Sequence, residues 1–247
     1  MKNLNPRTFY DFLGFEKHVR QIREKRGTTV PETWYKRPAY YLGNVSPDKI
    51  FGPGEVIIPS FVKKPDYEFE IALIVEQEGR PKTIEEATQF IQQHCSFTIF
   101  NDWSARDFQA LDMGMGLSVS HSKSIMGNSF GPTVVPASQF KFDANGVPDI
   151  AMQLKFNGEV RCTSNYNTVY WSFSKILAFL AGENIGVFPN DILGSGTVGN
   201  GCIAEFTAKM VDGKEVEPAK YPWLKDGDVI EMTAEGIGTL KSTVRII

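Results

Sequence analysis

The stretch Asp66-Tyr67-Glu68-Phe69-Glu70 places two glutamates two residues apart. On a strand that spacing puts both carboxylates on one face, roughly 7 Å apart along the chain, and turns Phe69 to the other face. Two acids on one face of an otherwise apolar strand repel each other and lose hydration. A divalent cation that prefers oxygen ligands makes such a pair favourable. The plainer reading is a solvated edge strand whose acids discourage pairing with other chains. Asp102 adds a third carboxylate directly after the apolar run Phe97 to Phe100. It reads either as a ligand at a strand end or as the N-cap of a helix, with Arg106 as its i+4 ion-pair partner.

The elements that must position these acids are mostly extended. Phe12, Phe15, Val19 and Ile22 recur at helical spacing, which predicts an amphipathic helix from Phe12 to Lys25 ended by Gly27. Val30 to Pro65 is rich in proline and glycine and suits short extended pieces joined by turns. Phe69 to Val75 reads as a buried strand and Ile84 to His94 as a second helix, followed by strands at Phe97–Asn101 and Thr133–Pro136. Ile150–Asn157 and Glu159–Thr163 form a hairpin across Asn157-Gly158, and Ser172 to Ala181 is a helix. Asp191 to Gly201 is dense in glycine and predicts tight turns. Cys202–Val211, Val229–Ala234 and Gly238–Ile246 read as three further strands.

The chain has 247 residues, 42% hydrophobic and 22% charged, with a formal net charge of −3. That composition excludes disordered, collagen-like and coiled-coil classes. No basic run carries interleaved aromatics, so no nucleic-acid partner is expected, and no apolar stretch approaches the ~20 residues that span a bilayer. Cys95, Cys162 and Cys202 are isolated, which argues against disulfides and a structural zinc site and for a reducing, cytoplasmic setting. His94 and His121 carry no partner at useful spacing and read as structural, and Trp103 as a packing residue that pins the segment presenting Asp102.

Four motifs occur in order: Asp66 to Glu70, Asn101 to Gln109, the Gly194-Ser195-Gly196-Thr197 turn after Pro189-Asn190-Asp191, and Leu224 to Asp228. Together they resemble the fumarylacetoacetate hydrolase superfamily, from about Arg7 to Val244. The resemblance implies a mainly-β, α+β fold: a mixed β-roll core with a short helical N-terminal portion, usually assembled as a homodimer. Residues 1–65 would then be an N-terminal helical and extended segment packed on a catalytic domain of residues 66–247.

The same resemblance implies Mg²⁺, or Mn²⁺ or Ca²⁺ in its place, bound by Glu68, Glu70 and Asp102. Fumarylacetoacetases add a fourth acid in a D-F-Y segment. Thr8-Phe9-Tyr10 stands there in this chain, which implies three protein ligands and makes Tyr10 the substrate-contacting tyrosine. Arg106, Gln109, Thr197 and Arg26 match further substrate-binding positions, whereas Met113 replaces a family tyrosine. Lys123 matches the family lysine beside the metal if one residue is inserted before Gly131-Pro132, and without that gap Asn128 takes the position. His18 and Glu205 match the pair that activates water, with about three extra residues between Tyr10 and His18.

The implied activity is metal-dependent hydrolysis of a carbon–carbon bond in a β-diketo acid or acylpyruvate-like 2-oxo acid. The alternatives are decarboxylation of an oxaloacetate-like acid or enol–keto isomerisation by the same metal site, and, outside catalysis, a binding protein that keeps the fold.

Overall fold

In the computed structural model, which describes residues 4–247, the acids sit at one end of a sheet whose strands run from apolar to charged on the same face. In chain order the first half comprises β1 (Thr8–Phe12), α1 (Glu16–Lys25), β2 (Tyr40–Leu42), β3 (Ile50–Phe51), β4 (Gly54–Ile58), β5 (Pro65–Asp66), β6 (Phe69–Val75), α2 (Ile84–His94), β7 (Cys95–Asp102), β8 (Ser104–Ala105), α3 (Arg106–Gly114) and α4 (Ser120–Met126). The second half comprises β9 (Asn128–Phe130), β10 (Val135–Pro136), β11 (Ala151–Phe156), β12 (Glu159–Asn165), α5 (Phe173–Gly182), β13 (Asp191–Gly194), β14 (Lys209–Val211), β15 (Lys214–Glu217), β16 (Val229–Ala234) and β17 (Gly238–Ile246). This is a sheet-rich α+β fold of mixed topology.

The larger sheet has the order β2-β1-β13-β6-β7-β9-β3, with β10 also on β7. β1 runs parallel to β13, and β13, β6 and β7 alternate in direction. Side chains two residues apart share a face, so one face carries Phe9, Ile192, Ala72, Ile74 and Phe100, which pack together with Phe130 as a small apolar cluster. One step further along the same face stand Asp11 on β1, Gly194 on β13, Glu70 on β6 and Asp102 on β7. The opposite face buries Phe69, Ile71, Leu73, Phe97, Ile99 and Leu193 in the main core. A second sheet, β12-β11-β16-β17-β4, adds Met152, Leu154, Met232, Leu240 and Val56 to that core.

Local signals explain the framework helices. Thr83 caps α2 by accepting the amide of Glu86, and Ser172 caps α5 by accepting that of Lys175. The Asn157-Gly158 turn has φ of 49° and 84°, the left-handed pair that a tight hairpin requires.

Three expectations change. The first helix begins at Glu16, not Phe12, because β1 continues to Phe12 and is paired on both sides, with β13 and β2. Tertiary pairing overrides the helical period there. The glycine-dense segment starts as a strand, β13, in the middle of the larger sheet. Cys202 to Val211 is not one strand: Ile203–Phe206 winds into a 3₁₀ turn before β14. Its N-terminal amides are taken by carboxylates, which favours a turn over a ladder. Residues before 66 supply β1, β2 and β3 to the larger sheet and β4 to the smaller one.

Candidate active site

A cavity of about 920 Å³ opens beside the acid-bearing end of the larger sheet, lined in part by Asp11, His18, Glu68, Glu70, Asp102 and Lys123. Arg26, Arg106, Gln109 and Thr197 line it as well. Tyr10 does not. It lies on the other face of β1 from Asp11, where its ring packs edge-on against Tyr40 at 5.3 Å.

Its floor consists of acids. Asp11, Glu70 and Asp102 each offer an oxygen, and these lie within 4.8 Å of one another in a buried setting. Tyr41, opposite Asp11 on β2, reaches both sides of the group, with its hydroxyl 2.7 Å from Asp102 Oδ2 and 3.0 Å from Asp11 Oδ2. Glu70 accepts the amide of Gly196 at 2.8 Å and lies 3.4 Å from the Thr197 hydroxyl. Burial, reinforced by Asp11, Asp102 and Glu68, holds the Glu70 carboxyl well above its ordinary range. Burial likewise raises Asp102, with Asp11 and Glu68 adding to the shift and Lys123 opposing it.

The adjoining wall balances its charges. Arg106 reaches Glu68 Oε1 at 2.7 Å and Asp66 Oδ2 at 2.9 Å, and also donates to Gln109 at 3.0 Å. Lys123, on α4, donates to Glu68 Oε2 at 2.5 Å, to Ser104 at 2.6 Å and to Asp102. Burial works against the Lys123 ammonium, yet Asp102 and Glu68 more than offset it and keep it charged. For Glu68 burial is outweighed by Arg106 and Lys123, and the carboxyl is held below its ordinary range. Asp102 ends β7 and does not cap α3, whose first turn follows Ala105, so Arg106 turns to Glu68 and Asp66 instead. Trp103 is fully buried and donates to Ser129 at 2.8 Å, which fixes the link between Asp102 and Arg106. Asn128, on β9 opposite Asp102, donates to Asp102 Oδ1 at 3.1 Å once its side-chain amide is turned to satisfy both of its polar atoms. Both candidates for the lysine position therefore reach the acids, and only Lys123 brings charge.

A third group faces the acids from α1. His18 is buried, and its Nδ1 lies 3.0 Å from Glu205 Oε1. Glu205 is itself fixed by the backbone: Oε1 accepts Asn200 N–H at 3.0 Å and Oε2 accepts Cys202 N–H at 3.1 Å. His94 and His121 lie elsewhere, His94 against Phe90 and His121 on the surface beside Asp112.

Asp11 joins Glu70 and Asp102 in the acid floor, a carboxylate beyond the three expected as ligands. Reading the D-F-Y position as Asp11-Phe12-Leu13, three residues later than Thr8-Phe9-Tyr10, supplies the fourth acid and removes the three extra residues before His18. Leu13, not Tyr10, then stands at the tyrosine position and lines the cavity. The floor fits a divalent cation on its own geometry. Asp11 Oδ1 is buried and finds no hydrogen-bond partner among the described residues, and a Cβ at Gly194 would stand 2.5 Å from it and 3.1 Å from Glu70 Oε2. Glycine keeps that space clear, and the all-oxygen donor set suits a hard ion.

The family model described as "Fumarylacetoacetate (FAA) hydrolase C-terminal" matches residues 7–245. The chain belongs to this family. Its relatives include the fumarylacetoacetase of Arabidopsis thaliana, 28% identical over 256 residues, covering 83% of this chain and 58% of that protein. An uncharacterized protein of Archaeoglobus fulgidus is 26% identical over 188 residues, covering 76% of this chain and 62% of that protein. The chain thus spans about three-fifths of the length of these two relatives. Among solved structures, fumarylpyruvate hydrolase from Pseudomonas aeruginosa, in complex with Mn²⁺ and pyruvate, aligns with a TM-score of 0.74 at 20% identity, over 98% of this chain and 91% of that one. A 5-carboxymethyl-2-hydroxymuconate delta-isomerase from Mycobacterium smegmatis gives a TM-score of 0.69 at 22% identity, over 99% and 80%. At such identities the likeness establishes the fold, which hosts both hydrolase and isomerase chemistry. Among the described residues no helix is long and apolar enough to cross a membrane.

Proposed function

We propose that this chain is a divalent-metal-dependent hydrolase that cleaves a carbon–carbon bond in a β-diketo acid or acylpyruvate-like 2-oxo acid. The observation that carries the reading is the buried His18–Glu205 pair, whose His18 lines the same cavity as the acid floor. Hydrolysis needs a base to activate water, whereas in a metal-driven decarboxylation or isomerisation, which has no attacking water, His18 would be a proton donor or a spectator.

Glu68, Glu70 and Asp102, joined by Asp11, would hold the ion, Mg²⁺ or in its place Mn²⁺ or Ca²⁺. Bound there, it supplies Lewis-acid polarisation of the substrate oxygens. Arg106, Gln109, Arg26 and Thr197 orient the substrate through its carboxylate and carbonyl groups. Glu205 fixes His18 through Nδ1 and leaves Nε2 to take a proton from water. The water oxygen adds to the carbonyl carbon, and the Lys123 ammonium stabilises the charge that develops on the carbonyl oxygen. The carbon–carbon bond then breaks with its electron pair leaving on the departing fragment as an enolate, which His18 reprotonates. The family resemblance supports a homodimer in the cytoplasm, which light scattering and cell fractionation test.

His18→Ala and Glu205→Gln are each expected to lower Mg²⁺-dependent cleavage of acylpyruvates about 10²- to 10⁴-fold, the usual contribution of a positioned base. The rise in melting temperature on adding Mg²⁺ should be unchanged in both. Cleavage retained in both variants would sink the hydrolase, and activity confined to oxaloacetate would move the assignment to a decarboxylase.

A further inference from the structure

One carboxylate lies behind the cavity wall and touches both halves of the machinery. Asp66 is fully buried on β5, and its two oxygens accept four hydrogen bonds. Oδ1 takes the amides of Tyr67 and Ile203, each at 2.8 Å. Oδ2 takes the amide of Ala204 at 3.0 Å and Arg106 Nε at 2.9 Å. One oxygen therefore bonds both the guanidinium that closes on Glu68 and the 3₁₀ turn that carries Glu205. Within that turn Glu205 holds the amides of Asn200 and Cys202 while it holds His18.

We infer that Asp66 is a positioning residue that fixes Arg106 and the Glu205 turn in one relation, coupling substrate engagement by Arg106 to the orientation of His18. The inference rests on the proposed function for the roles of the two ends. The link between them rests on the hydrogen bonds alone. A carboxylate is required because four donors converge on two acceptor oxygens. An amide of the same shape has one such oxygen and would turn an N–H toward Arg106 or Ala204. Arg106 in turn compensates the buried charge of Asp66, so removing either partner leaves the other uncompensated and loosens what it holds.

The test uses the full chain saturated with Mg²⁺. Oxalate, a planar analogue of an enolised 2-oxo acid, serves as the binding probe by calorimetry, and amide hydrogen exchange is followed at Ile203 and Ala204. Asp66→Asn is expected to weaken oxalate at least about tenfold, the scale of a lost hydrogen bond to a charged group. It should also speed exchange at both amides, raise KM and lower kcat. Arg106→Gln, far from that turn in sequence, should also speed exchange at Ile203 and Ala204. The double variant should lose less than the sum of the two, as partners in one network do. Unchanged exchange at those amides in Arg106→Gln, or additive losses in the double variant, would overturn the coupling. Should Asp66→Asn fail to fold, the exchange rates in Arg106→Gln decide alone. A wild-type chain that turns over no substrate would refute the proposed function, while exchange still decides the coupling.

Discussion

Glu68 and Glu70 stand two residues apart, and their surroundings push them in opposite directions. Glu68 faces the wall, where Arg106 and Lys123 supply positive charge to its two oxygens. Glu70 faces the floor, where its close neighbours Asp11 and Asp102 are acids and its hydrogen bonds come from the neutral Gly196 amide and Thr197 hydroxyl. The wall is complete as it stands, whereas the floor carries more potential negative charge than its donors can offset. The same residue type thus has its charge offset by the protein's own cations at Glu68, whereas at Glu70 the protein supplies only neutral donors.

The harshest way to break that contrast is to make the wall resemble the floor. Lys123→Met removes the cation shared by Glu68 and Asp102 and leaves buried acids uncompensated. Denaturant unfolding in chelator should show a loss of about 3–5 kcal/mol. A loss below about 1 kcal/mol would mean that the wall does not depend on its ammonium. The next effect is on the floor itself. Glu70→Gln should abolish the rise in melting temperature on adding Mg²⁺ and cut turnover at least about a hundredfold, the upper range for perturbing even the outer partners of a metal. Equal Mg²⁺-dependent stabilisation in Glu70→Gln and wild type would place the ion elsewhere.

The pH dependence of stability sharpens the same comparison. Burial pushes the Asp11 carboxyl up from 3.8 to about 6, against the pull of Lys123. Between those values the metal-free native state holds a proton that the unfolded chain has released, so its stability falls as pH rises through that window. Cation binding needs the ionised form, so stabilisation by Mg²⁺ should grow over the same range. Melting curves with chelator and with Mg²⁺, taken from pH 4 to about 7, should therefore diverge. Parallel curves would show that the Asp11 carboxyl takes no part in binding.

How much of this was legible in the sequence varies with the range of the interaction that decides it. Strand alternation is local and needs no partner, so it could turn Glu68 and Glu70 toward one cavity, whereas their reading with Asp102 as candidate ligands came from the family motifs. Helix α2 matches its predicted limits because capping and periodicity lie within the segment. Asp11 escapes a local reading because its placement depends on where β1 docks: pairing with β13 brings it beside Gly194 and Glu70. The available signal was the seven-residue spacing from Asp11 to His18, which the choice of Thr8-Phe9-Tyr10 concealed. The turn at Ile203–Phe206 depends on Asp66, more than a hundred residues earlier, and no local propensity could reveal it.

Tyr41 offers the finest test, because it belongs to the floor but contributes a single neutral donor. Its hydroxyl has one proton for two carboxylates, 2.7 Å from Asp102 and 3.0 Å from Asp11. Without an ion that proton is shared between acids that need it, so Tyr41→Phe should cost the metal-free protein about 1 kcal/mol or somewhat more in denaturant unfolding. With Mg²⁺ bound the same oxygens have a cation as partner, and the cost should shrink. The wall predicts no such dependence on metal: Trp103→Phe, which removes the donor to Ser129, should cost about the same in Mg²⁺ and in chelator. A Tyr41→Phe penalty as insensitive to metal as that of Trp103→Phe would mean that the floor acids are already satisfied without a cation, and the contrast between Glu68 and Glu70 would lose its meaning.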